Sequence, residues 1–252
     1  MRKFEHVVCR TPCSQIVNGI TSANLGKPIY KELLDQHNSY IRALQTCEVD
    51  ITILPSLEDY PDSVFVEDVA LCTPKCAIVT LPGADSRCGE ASLMTPVLRR
   101  FYEHIECIQA PGTLDAGDVM MVGDHYYIGA STRTNAEGAA QLIAILNKYG
   151  MTGSVVKLEK GLHLKTGLTY LENNNLLAAG EFISKPEFQK YNIVVVPEEE
   201  EYAANCIWVN ENVIMPAGYP ITKANIQKLG YNVIEVNASE FRKHVVVRRS
   251  VA

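Results

Sequence analysis

The sequence predicts an α/β protein built from one ββαβ unit used repeatedly and closed into a five-part ring. Three observations predict it. The order strand, strand, helix, strand recurs four times at a period of roughly 45 residues, in the range of repeat architectures. The segments left over, at the two ends of the chain, together make up a fifth unit. Polar, chemistry-bearing loops fall at equivalent places in different units, as they do when short loops converge on one central channel. A mixed sheet without closure is the competing reading.

The elements follow in order. Phe4 to Cys9 is a strand. From Pro28 to Thr46 the positions Ile29, Leu33, Leu34, His37, Ile41 and Leu44 keep helical spacing, and Pro28 suits a first turn. Val49 to Leu54 is a strand. Val64 to Cys72 and Cys76 to Leu81 form a hairpin across Thr73-Pro74-Lys75, followed by a helix from Cys88 to His104, kinked at Pro96, and the strand Ile105 to Gln109. Val119 to Val122 and Tyr126 to Gly129 pair across Gly123-Asp124. A helix then runs from Asn135 to Tyr149, with Thr134 and Glu137 spaced as a capping box, and Val155 to Leu158 completes the unit.

The third unit pairs Leu168–Leu171 with Leu176–Ala179 around Asn173-Asn174-Asn175, adds a short polar helix over Lys185–Lys190 and ends in Ile193–Val196. The fourth pairs Cys206–Val209 with Val213–Met215, then has a helix over Thr222–Leu229 and the strand Asn232–Val236. Val245 to Val247 is expected beside the Phe4–Cys9 strand, closing the ring through both termini. Linker composition is absent, so residues 1–252 read as a single domain.

Composition bounds the function. With 252 residues, 47% apolar and 21% charged, the chain can bury a full core. A net charge of -6, with basic residues clustered only between Arg242 and Arg249, excludes nucleic acid as the main partner. The eight cysteines fit neither a zinc quartet nor a disulfide framework, and read as reduced, mostly buried thiols of a cytoplasmic protein. The first residues lack the pattern of a signal peptide, and no apolar run is long enough to span a bilayer.

Chemistry concentrates first in Pro61 to Ala70, where Asp62, Glu67 and Asp68 stand among β-formers. On a strand, Glu67 and Asp68 point to opposite faces, so one faces inward and wants a cation; solvated acids at a strand end are the bland alternative. Further candidates are Arg87 in the turn Pro82–Arg87, Asp115 and Asp118 among the glycines of 112–118, and Arg133 before a helix, a place that favours anions. His163, between Leu162 and Leu164, is the last. Taken singly, each has a plain explanation: a satisfied core histidine, an ordinary acidic turn, an Arg133–Glu137 pair. Taken together they offer acids for a cation, arginines for an anion and an acid to orient a histidine. A zwitterion with a cationic end and a carboxylate end fits them.

Phe65-Val66-Glu67-Asp68, Pro82 to Arg87, Leu114-Asp115-Ala116-Gly117-Asp118, Arg133-Thr134-Asn135, Leu162 to Lys165 and Ala204 to Ile207 resemble, in order along the chain, the motifs of the dimethylarginine dimethylaminohydrolases, within the guanidino-modifying enzyme (amidinotransferase) superfamily. The resemblance implies a five-unit, pseudo-symmetric α/β propeller. It also implies hydrolysis of asymmetric dimethylarginine or monomethylarginine to citrulline and a methylamine, with no cofactor and no metal. Asp62, Glu67 and Asp68 would surround the guanidinium, and Arg87 and Arg133 would take the α-carboxylate. Ile20 matches the substrate-covering loop position. His163 would be the general acid and base, and Asp115 would hold its tautomer. The partner is a small molecule, with no membrane and no nucleic acid, and the chain is a monomer or homodimer. A deiminase acting on free arginine is the weaker related alternative.

The resemblance fails after Lys243. The family's segment Asp-Gly-Gly-Leu-Thr-Cys, which carries the nucleophile, is replaced by His244 to Ala252, and an ungapped count puts Ser250 at the cysteine's place. A serine hydroxyl is hardly ionised near neutral pH, whereas a thiol readily is. A tail that diverges all at once reads as a replaced or frameshifted end. The alternative function is therefore an arginine-analogue binder without turnover.

Overall fold

The computed structural model describes residues 3–21, 23–159 and 163–244. The chain divides into two compact units, one formed by 1–64 with 165–252 and the other by 65–164.

In the unit 65–164, two sheets share one plan. Strands β3 (Ala70–Cys72), β4 (Ala77–Val79) and β5 (Ile105–Cys107) make the first, and β6 (Val119–Val122), β7 (His125–Ala130) and β8 (Thr152–Lys157) the second. In each, the first two strands are antiparallel neighbours and the third joins the middle strand in parallel, as a crossover connection requires. Gly123 takes φ +60° in the β6–β7 turn, a conformation that glycine adopts without penalty. Leu71, Ile78, Leu114, Tyr126, Ile128, Leu142 and Leu146 form the shared core.

The crossovers differ from expectation in instructive ways. The helix expected over Cys88–His104 is two short ones, α2 (Cys88–Ser92) and α3 (Thr95–Leu98). Pro96 lies in the first turn of α3, where its missing N–H costs nothing, so it starts a helix rather than kinking one. Helix α4 (Ala136–Lys148) is capped by Asn135, whose side chain accepts the Gly138 N–H at 2.8 Å. The Thr134–Glu137 capping box is therefore corrected: the Thr134 hydroxyl is spent on Asp118.

In the other unit, β9 (Leu168–Tyr170), β10 (Asn175–Ala178) and β11 (Asn192–Val195) form one sheet, and β12 (Ile207–Val209), β13 (Asn212–Pro216) and β14 (Asn232–Val236) another, both on the plan just described. The polar helix expected over Lys185–Lys190 is replaced by 3₁₀ turns, Gly180–Ser184 and Pro186–Phe188, with Pro186 interrupting helical bonding. Helix α5 (Pro220–Lys228) is found as expected. Helix α1 (Tyr30–Gln45) starts two residues after Pro28 and buries Leu33, His37, Ile41 and Leu44. It links β1 (His6–Arg10) to β2 (Asp50–Leu54), which pair in parallel. This fifth sheet has two strands among the described residues. The strand expected at Val245–Val247 lies outside them, as does Ser250.

Candidate active site

Within the unit 65–164, five short segments bring their polar side chains together. The first corrects an expectation: Glu67 and Asp68 sit on a 3₁₀ turn, Val66–Val69, and not on a strand. The β3 strand starts only at Ala70, because the Thr80 N–H bonds to Val69 O and its hydroxyl to Asp68 O, at 3.2 and 2.7 Å. The turn still separates the two acids, leaving Glu67 exposed and Asp68 half-buried.

Asp68 faces Arg87. The guanidinium donates to Asp68 Oδ2 from Nη1 at 2.5 Å, to Phe65 O from Nη2 at 3.0 Å, and to both oxygens of Glu90 from Nη2 and Nε at 2.6 and 3.2 Å. Arg87 and Glu90 are 5% and 1% exposed, three residues apart on one helical face. Burial alone would lower the arginine pKa, but the charges and bonds of Asp68 and Glu90 outweigh it and raise it. Thus Arg87 in this structure serves the site's own acids, where the resemblance implied a substrate carboxylate. Glu90 escaped the sequence reading; its spacing from Arg87 was the available signal.

Asp115 comes from extended backbone in which Leu114 and Ala116 enter the core on the opposite side, so alternation turns the carboxylate away from the apolar layer. Its Oδ1 accepts the Gly83 N–H at 2.8 Å. Gly83 has no alternative here: a Cβ would stand 2.6 Å from Arg133 Cα. Burial, with the nearby Asp68 charge, pushes the Asp115 pKa to about 6 against the relief from Gly83, His163 and Arg87.

Asp118 follows on the turn Ala116–Asp118 and is wholly buried. His163 lies against both acids, with Nδ1 3.4 Å from Asp118 Oδ1 and Nε2 3.9 Å from Asp115 Oδ2. Asp118, which the resemblance gave no role, thus lies nearer the ring than Asp115, which it named as the orienting acid. Burial disfavours the imidazolium, but Asp118, Asp68 and Asp115 together raise the His163 pKa above its ordinary value. Gly117 is needed between them, since a Cβ there would meet Asp68 Oδ1 at 2.7 Å and the His163 ring at 3.3 Å.

Arg133 precedes α4, half-buried, and no described side chain bonds to its guanidinium. The expected Arg133–Glu137 pair does not form; Glu137 bonds to Gln141 instead.

Four acids (Asp68, Glu90, Asp115, Asp118) face two cationic groups (Arg87, His163) in this unit, so the charge balance favours one further cation. Ligand atoms of Asp68, Asp115 and His163 lie within 4.8 Å of one another, a spacing that a metal ion could span. The Arg87 guanidinium against Asp68 places fixed positive charge beside them, which suits a diffuse organic cation better than a divalent ion.

In the other unit, buried Asp62 accepts the Ile20 N–H on both oxygens, at 3.0 and 3.2 Å. This bond holds the loop at which the resemblance places a substrate-covering residue. Thr21 adds a bond to Lys243 O at 2.6 Å. The cysteine thiols at 9, 13, 47, 72, 76, 88 and 206 are all raised by burial, to about 11 at Cys9 and about 12 at Cys206, so none of these is primed as a thiolate.

The chain is similar to known proteins over most of its length. Residues 21–251 match the profile of the eukaryotic N,N dimethylarginine dimethylhydrolases. The chain is 66% identical over 241 residues to N(G),N(G)-dimethylarginine dimethylaminohydrolase of Pseudomonas aeruginosa, covering 95% of each. A Streptomyces coelicolor enzyme of that name is 32% identical, with 93% of this chain and 90% of that one covered. Among solved structures, a Cys-to-Ser variant of the Pseudomonas protein complexed with citrulline superposes with a TM-score of 0.96, covering 96% of each chain. The chain belongs to the dimethylarginine dimethylaminohydrolase family.

Proposed function

We propose that this chain binds Nω-methylated arginines and hydrolyses them to citrulline and a methylamine, as an amidine hydrolase. The observation that carries the reading is His163 set between Asp115 and Asp118, beside Asp68, in a group of acids that wants one more cation. A guanidinium is permanently charged and planar, and suits carboxylate pairing. Asp68, with Glu67, takes the guanidinium. Arg133 takes the α-carboxylate, and Arg87 joins it only by giving up bonds to Asp68 or Glu90.

His163, charged because its acids favour the imidazolium, protonates the departing amine as the nucleophile bonds to the guanidinium carbon and the carbon–nitrogen bond breaks. It then takes a proton from the water that displaces the nucleophile, releasing citrulline. Asp115 faces the imidazolium and offsets its charge. An ungapped count puts Ser250 at the nucleophile's place; its hydroxyl must first lose its proton to a base other than the imidazolium, which makes that step slow. The Pseudomonas Cys-to-Ser variant with citrulline supports the binding half of this reading.

The fold proposed for residues 1–252 is the family's single five-unit propeller, supported by four sheets of one plan and the β1–β2 pair. Eight free cysteines and the lack, among the described residues, of any helix able to cross a membrane support a cytoplasmic location.

The test is calorimetric titration with asymmetric dimethylarginine and with citrulline. Binding to the unmodified chain is expected, weakened at least about tenfold by Asp68→Ala, which strips a charge-assisted contact. Absence of binding at millimolar ligand would overturn the proposal.

A further inference from the structure

The scheme above leaves Asp118 without a part, although it is the most enclosed carboxylate of the site. Among the described residues no lysine or arginine pairs with it. Its Oδ2 accepts hydroxyl protons from Ser131 at 2.5 Å and Thr134 at 2.7 Å, and its Oδ1 accepts the Leu164 N–H at 3.0 Å. A buried carboxylate persists only where donors are so arranged.

The hydroxyls are themselves aimed. Ser131 Oγ accepts the N–H groups of Arg133 and Thr134, at 2.9 and 3.1 Å, and Thr134 Oγ1 accepts the Asp115 N–H at 3.2 Å. Backbone donors occupy their lone pairs, so each hydroxyl proton is left to point at Asp118. The same Oδ1 stands 3.4 Å from His163 Nδ1, within ion-pair distance. Because Leu164 follows His163 directly, Asp118 bonds the backbone beside the ring that it faces.

We propose that Asp118, clamped by Ser131 and Thr134, is the positioning residue that fixes His163 as the Nδ1–H tautomer and turns Nε2 toward Asp115 and the reacting nitrogen. The same clamp ties the Arg133 segment to the imidazole, so the anion-binding end and the proton-transfer group share one rigid support. The inference rests on His163 being the acid–base group. The charged groups facing that ring are Asp68, Asp115 and Asp118, with Arg87 behind Asp68.

The test uses the full chain with ¹⁵N-labelled histidine and no substrate. Long-range ¹H–¹⁵N correlation spectra give the tautomer and pKa of His163, assigned through its absence in His163→Gln. The unmodified chain is expected to show Nδ1–H. Asp118→Asn is expected to lower the His163 pKa by at least roughly one pH unit and to deplete that tautomer. Asp115→Asn should lower the pKa while keeping the tautomer. Ser131→Ala with Thr134→Val should move both in the same direction as Asp118→Asn, and decides the matter if circular dichroism shows Asp118→Asn unfolded. A His163 tautomer and pKa unmoved by Asp118→Asn or by the double variant, or a tautomer switched by Asp115→Asn, would overturn the assignment. No step needs turnover or ligand, so failure of the methylarginine reading leaves this result standing, and the reverse holds.

Discussion

Glu90→Ala removes the group that accepts two of the four Arg87 bonds, and the structure sets the size of the effect. Both side chains are buried, and the pair is a two-pronged fork, with Nη2–Oε1 at 2.6 Å and Nε–Oε2 at 3.2 Å. Deleting one partner of a buried pair leaves a desolvated charge and costs about 3–5 kcal/mol. In a protein of this size that corresponds to a fall in melting temperature of roughly 10 °C. Glu90→Gln, which keeps an acceptor but not the charge, should lose about half as much. The assay is thermal and urea unfolding followed by circular dichroism, repeated in high salt, which should barely alter the difference because a buried pair is poorly screened. A loss below about 1 kcal/mol for Glu90→Ala would refute the reasoning. It would mean that the guanidinium spends its time turned away from Glu90, as the carboxylate-binding role implied by the resemblance requires.

Three further outcomes follow from the same geometry. Asp115, with its pKa pushed up from 3.8 to about 6, opposes folding increasingly as pH rises from about 4 to about 6, because the folded chain keeps a proton that the unfolded chain gives up, and the penalty levels off above that. Asp115→Asn, which keeps an acceptor for Gly83, should therefore gain stability over the unmodified chain by up to roughly 2 kcal/mol between about pH 4 and 7 and hold that gain above it, and melting curves showing no growth in the difference over that window would count against it. Gly117→Ala drives a methyl into Asp68 and His163, so methylarginine affinity by calorimetry should fall at least about tenfold with the fold retained; unchanged affinity would place the ligand elsewhere. Prior treatment with a chelator should leave binding unaltered, and a loss restored by added zinc would give the Asp68–Asp115–His163 group to a metal.

Much of this was legible in the sequence because strands and turns announce themselves locally. Asn232–Val236 matches β14 residue for residue, and the asparagine-rich turn at 173–175 and the Gly123 turn lie where their chemistry put them. The helix over Lys185–Lys190 was misread because Pro186 and neighbouring 3₁₀ bonding override polar periodicity. Glu67-Asp68 was read as strand because β-branched neighbours surround it; the tertiary bonds from Thr80 decide otherwise. Among site residues, His163 stood out between two leucines, and Asp115 in an acidic, glycine-rich stretch before a strand. Asp118 was seen as one of two acids, but nothing local told which would lie nearer His163. Glu90, Ser131 and Thr134 act through contacts that close only on folding.

The central claim is that this chain binds methylated arginines, while the whole segment after Lys243, and not residue 250 alone, limits their turnover. Its most direct test compares three proteins side by side: the unmodified chain, Ser250→Cys, and a chain whose last residues are rebuilt to Asp-Gly-Gly-Leu-Thr-Cys with a following strand. Each would be titrated with asymmetric dimethylarginine and assayed for citrulline release. The account predicts that the unmodified chain and the rebuilt one both bind, that citrulline is released robustly by the rebuilt chain alone, and that Ser250→Cys restores little because valines and arginines replace the family segment's glycines in the sequence around it. Rapid citrulline release by the unmodified chain, or no binding by any of the three, would contradict it.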